Sequence, residues 1–129
     1  MQNDIPRKID ILFRTFTRPD GKEYTYGEVA LGTSGAISSS YLCKLRRGQN
    51  FSPGFNKLES LAGFFGVPVG YFFKELTPKD EDELRLIAAL REPDVREIAE
   101  RALALDREGQ ETVLHLTGVI SRLQGGKER

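Results

Sequence analysis

The stretch Ile37-Ser38-Ser39-Ser40-Tyr41-Leu42-Cys43-Lys44-Leu45-Arg46-Arg47-Gly48 sorts its side chains onto two faces when wound as a helix. Leu42 and Leu45 face inward, while Ser39, Ser40 and Lys44 share the outward face near the start. Ser38 offers a hydroxyl that caps a helix running from Ser39 to about Arg47, and Gly48 stops it. Ser34-Gly35-Ala36 ahead of it reads as a turn, with Ile37 pointing inward. A short helix with a polar leading face, entered through a tight turn, has the form of a helix inserted into the major groove.

Outward from this stretch the spacing predicts helices throughout and no strand, so the fold class is all-α. Upstream, Ile5, Ile9, Leu12, Phe13 and Phe16 define a helix with Pro6 in its first turn. The loop residues Pro19-Asp20-Gly21 follow, and Thr25 caps a second helix running to about Thr33. Downstream, Leu58, Leu61, Ala62 and Phe65 mark a helix from about Asn56 that ends at Gly66, and a short helix spans about Val69 to Phe73. These five helices form one unit, residues 1–76. Pro78 opens a helix to about Leu90, Pro93 another to about Ala104, and Asp106 caps the last, giving a second helical unit over residues 77–129.

The 129 residues are 39% apolar and 29% charged, the composition of a folded chain. A single cysteine, Cys43, excludes an internal disulfide, and the lone His115 leaves no cluster with zinc spacing, so no metal or cofactor is expected. The charged N-terminus lacks a signal peptide, and no apolar run is long enough for a membrane span, which places the chain in the cytoplasm.

Formal net charge is zero, but its distribution is uneven. Residues 1–76 hold 10 Lys+Arg against 7 Asp+Glu, and residues 77–129 hold 9 against 12. Between Glu28 and Glu59 no acid occurs, while Lys44, Arg46, Arg47 and Lys57 fall there. Such a window tolerates a phosphate backbone. Phosphate contacts are therefore expected from Thr25 and Tyr26 at a helix start, from Tyr41, and from Arg46, Arg47, Gln49 and Asn50 at and beyond the end of the reading helix. Base edges are expected to meet Ser39, Ser40 and Lys44, whose discrimination is modest without a bidentate Asn, Gln or Arg.

Ile37 to Phe73, with Y-L-x-x-L-R-x-G at Tyr41 to Gly48 and L-x-x-L-A-G-F-F-G-V-P-V-G-Y-F-F from Leu58, resembles the Cro/C1 (XRE) helix-turn-helix family. The resemblance implies a five-helix, lambda-repressor-like DNA-binding domain with base contacts at Ser39, Ser40 and Lys44. The run D-V-R-x-I-A-x-R-A from Asp94 and the final helix extend the likeness to mycobacterial secretion-system regulators. That implies a homodimer formed through the C-terminal helices and a nucleoid-associated role in bridging or looping DNA. Two departures stand out: the connection from Ala30 to Ile37 is longer than usual, and Arg46 replaces an acidic residue. The second removes a familiar internal ion pair and adds a candidate phosphate contact.

Val113, Leu116, Ile120 and Leu123 form the apolar stripe expected at the dimer interface. The carboxylates around Asp80 and Glu83 suit a helix start, and no nucleophile or phosphate cradle accompanies them, so no enzyme is expected. The partners expected are double-stranded DNA and a second copy of the chain, with no small-molecule ligand evident. The competing reading is a protein-interaction module that keeps the helix-turn-helix fold without binding DNA. A weaker one makes the aromatics Phe64, Phe65, Tyr71, Phe72 and Phe73 a ligand pocket, although core packing explains them better.

Overall fold

The computed structural model describes residues 4–49 and 52–125, and among them every regular element is helical. The α-helices are α1 (Ile5–Thr15), α2 (Tyr26–Gly32), α3 (Ser39–Arg46), α4 (Phe55–Phe65), α5 (Pro78–Leu90), α6 (Pro93–Leu103) and α7 (Arg107–Leu123), with a 3-10 helix at Val69–Phe73. The boundaries follow local chemistry. Asp4, Thr25, Ser38 and Asp106 each accept a backbone N–H at a helix start. Gly66 ends α4 in the left-handed conformation at φ 74°. The element at Val69–Phe73 winds as 3-10 because five residues between Pro68 and Lys74 leave no room for a settled α-helix.

Contacts divide the chain into two units, Met1–Arg85 and Leu86–Arg129, so the division falls inside α5 and not ahead of it. The first turns of α5 belong with the first unit, where Leu84 is buried and two ion pairs engage them. Arg7 on α1 pairs with Glu81 at 2.6 Å, and Lys74 pairs with Asp80 at 3.2 Å. Asp80 also accepts from the backbone N–H of Thr77 at 2.9 Å, which holds its carboxyl below the ordinary range.

The core of the first unit is aliphatic and aromatic: Ile9, Leu12, Phe13, Val29, Ile37, Leu42, Leu61 and Phe72 are fully buried. Phe65 meets Phe13 edge-on with centroids 5.2 Å apart. Of the five aromatics, Phe65, Tyr71 and Phe72 are core, Phe64 is half-buried, and Phe73 is exposed and stacked on Phe55. One cation is interred among them. The Lys8 ammonium donates to the carbonyl oxygens of Phe72 and Lys74, and the Tyr71 hydroxyl donates to the Lys8 carbonyl at 2.6 Å. Burial lowers the Lys8 pKa, while these carbonyls tie the 3-10 helix to α1.

Gly32 sets how closely α2 approaches α4. A Cβ there would collide with the Phe64 ring, so the glycine that looks like a weak helix end is the surface on which that ring rests. Gly32→Ala, which helix propensity alone favours, is therefore expected to destabilise the unit by about 1–3 kcal/mol through overpacking. Urea unfolding checks the sign, and a stabilised variant contradicts this packing account.

The second unit pairs α6 with α7. The Gln110 amide donates to the carbonyls of Ala102 and Leu105 at 2.9 and 3.2 Å, closing the turn between them. Asp106 caps α7 by accepting from the Gly109 N–H at 2.8 Å. Within α6 and α7 no residue is buried, and Ile98, Leu103, Leu114, Leu116, Ile120 and Leu123 are all exposed.

Candidate nucleic-acid interface

The helix α3 is held from below, from its start and from its end. Leu42 and Leu45 sink into the core, and the Ser38 hydroxyl accepts from the Tyr41 N–H at 3.1 Å. The turn before it carries Ser34 at φ 56° and Gly35 at φ 80°, two successive left-handed residues that reverse the chain inside the longer connection. From α4 the Lys57 ammonium donates to the Ala36 carbonyl at 2.9 Å and lies 5.3 Å from the centroid of the Tyr41 ring. Partial burial moves the Tyr41 hydroxyl pKa upward and keeps it neutral.

Ser39, Ser40, Lys44, Arg47 and Gln49 are exposed, with Cys43 half-buried among them. These α3 residues occupy one face, since positions 39, 40, 43, 44 and 47 recur at helical spacing. Among the described residues no acid pairs with Lys44 or Arg47, so that face carries two uncompensated cations. Asn50 lies outside the described residues.

Three residues expected at phosphate are engaged elsewhere. Arg46 turns inward, its side chain only 16% exposed. Its guanidinium donates to Asp10 on α1 at 2.7 and 3.0 Å and to Glu23 in the α1–α2 loop at 3.0 Å, and it stands 4.5 Å from the centroid of the buried Phe13 ring. Burial opposes the charge, but the hydrogen bonds to Glu23 and Asp10 outweigh it and raise the pKa further. Arg46 therefore sits in an internal ion-pair network with Asp10 and Glu23. It links α3 to α1.

Thr25 is committed to a capping box: its hydroxyl accepts from the Glu28 N–H at 3.0 Å, and the Glu28 carboxylate accepts from the Thr25 N–H at 2.8 Å. The backbone hydrogen bond holds the Glu28 carboxyl below its ordinary pKa, and the Arg18 guanidinium pairs with it at 3.5 Å. Tyr26 is half-buried and edge-on to Phe13 at 5.6 Å.

The apolar residues expected to join two copies fall into two groups. Leu116, Ile120 and Leu123 are 52, 53 and 80% exposed, whereas Val113 is half-buried. Leu114, at 73% exposure, went unread because it breaks the stripe's spacing.

No family model matches the chain. Over 129 aligned residues it is 32% identical to the nucleoid-associated protein EspR of Mycobacterium tuberculosis, in strains CDC 1551/Oshkosh and H37Rv, with 97% of this chain and 98% of EspR covered. The chain belongs to the EspR family. The match to EspR spans both units, so the exposed face of α3 and the uncovered helices α6 and α7 lie within the shared length. Among the described residues no helix is long and apolar enough to cross a membrane.

Proposed function

We propose that this EspR-family chain is a homodimeric regulator of the bacterial nucleoid that binds double-stranded DNA in the major groove and acts without catalysis. The observation that carries this reading is the exposed α3 face, on which Ser39, Ser40, Lys44 and Arg47 lie together and, among the described residues, no acid pairs with either cation. Ser39 and Ser40 supply hydroxyls to base edges at the leading end, and Lys44 reaches a guanine acceptor or a phosphate. Arg47 and Gln49 hold the sugar-phosphate chain at the trailing end. Arg46, Thr25 and Tyr26 belong to the scaffold.

The second copy is supported by the exposed apolar surface of α6 and α7, which a unit of this size cannot cover with its own residues. Two reading helices also recover the specificity that a face without bidentate base contacts lacks. Such a dimer serves transcription regulation, and with further contacts between bound copies it bridges or loops DNA.

Anisotropy titration of labelled duplex DNA across a salt series tests the reading. Affinity is expected to fall steeply with salt, with a log–log slope of about −0.9 for each phosphate neutralised. Salt-insensitive affinity, together with a stable complex with another protein, supports the interaction-module reading instead.

A further inference from the structure

We infer that Arg46 is a positioning residue for DNA reading: its ion pairs with Asp10 and Glu23 set the lean of α3, and so decide whether Ser39, Ser40 and Lys44 meet base edges or only the backbone. The inference rests on the proposed DNA binding.

The helix is only eight residues long and is anchored in the core by Leu42 and Leu45, which lie on one stripe. A helix held along one stripe is free to pivot about it. Lys57 restrains the leading end through the Ala36 carbonyl and the Tyr41 ring. Arg46 restrains the trailing end, and it does so against two separate elements, α1 through Asp10 and the following loop through Glu23. The planar fork fixes direction as well as distance, and the Phe13 ring beneath it blocks rotation of the guanidinium plane. Asp10 is itself braced by Arg14 at 2.9 Å.

Leverage makes this restraint matter. Ser39 lies roughly 10 Å up the helix axis from Arg46 at 1.5 Å per residue, so a pivot of about 10° moves it by about 2 Å. Productive polar contacts tolerate displacements of only about 0.5 Å. A loosened clamp therefore forfeits base contacts while Lys44 and Arg47, with long flexible stems, still reach phosphates.

The experiment uses the full-length protein and two duplexes: one selected from a random pool by the wild type, and a scrambled duplex of the same composition. Arg46→Met, which keeps the packing on Phe13, and Arg46→Lys, which keeps the charge, are compared with wild type by anisotropy over a salt series. Asp10→Asn combined with Glu23→Gln releases the same clamp with Arg46 retained, and it carries the test if Arg46→Met fails to fold by circular dichroism. The expected result is a preference for the selected duplex reduced about ten-fold or more, with the salt slope on the scrambled duplex unchanged. Arg46→Lys, with charge but no fork, is expected to lose preference as well.

A slope that shrinks by about one ion in Arg46→Met, with equal loss on both duplexes, overturns the inference by showing a phosphate contact. Variants that discriminate as well as wild type also overturn it, and leave the DNA reading standing. Wild type that binds both duplexes equally removes the preference that the clamp is said to set. Wild type that binds neither overturns the DNA reading itself.

Discussion

Replacing Lys44 and Arg47 together by alanine is expected to lower duplex affinity by about ten- to a hundred-fold near physiological salt and to flatten the log–log salt dependence by nearly two ions. Both side chains are exposed on one face of α3, and among the described residues neither has an acidic partner, so their positive charge is available to an incoming polyanion. Each counterion displaced from the duplex adds about 0.9 to the slope, and removal of a cation reverses that gain. Because neither side chain is buried, the variant is expected to keep its helical content and melting temperature close to those of the wild type. Anisotropy titrations at several salt concentrations read the slope directly. An unchanged slope places the polyanion on another surface and removes α3 from the interface.

A larger loss is expected from Leu116→Asp combined with Ile120→Asp. These side chains are about half exposed on α7, one turn apart, so aspartates there add no buried charge within the unit while making any apolar junction with a second copy costly. Light scattering is expected to show a monomer. Duplex affinity is expected to fall by roughly a hundred-fold or more, because two linked reading helices bind with an effective concentration that a single one lacks. The core around Phe13 and Leu42 is untouched, so thermal unfolding of the first unit is expected to persist. A variant that remains dimeric locates the junction elsewhere, with the exposed Ile98, Leu103 and Leu114 next to be changed.

The helix limits were legible in the sequence because their determinants are local. Thr25, Ser38 and Asp106 cap within one residue of where their spacing puts them, and Pro78 and Pro93 open α5 and α6. The face of α3 that carries Ser39, Ser40 and Lys44 was legible for the same reason. The destination of Arg46 was not, because its partners lie 36 and 23 positions away in the chain. The acid-free window is a property of sequence neighbours, and folding brings acids from α1 and its loop into it. One local signal was present: Arg46 is four residues after the core residue Leu42, so it shares the inward side, whereas Arg47 follows Cys43 on the outward side.

Thr25 carried a similar signal, since Thr-x-x-Glu at a helix start spells a capping box that occupies the hydroxyl. In the second unit, periodicity found the apolar stripe of α7 but not its distribution between inside and outside. Val113 is half-buried and its neighbour Leu114 is exposed, a difference that the stripe's periodicity does not state.

The helices α6 and α7 have no interior of their own, and this bears on how the protein responds to its own abundance. If a second copy supplies the missing interior, folding of this unit and association are a single equilibrium governed by mass action, and its melting temperature rises with protein concentration. Below the dissociation constant the dimer population grows as the square of total protein, so a doubling of synthesis yields about four times as much of the form with two reading helices. A modest change in expression then becomes a steep change in occupied DNA.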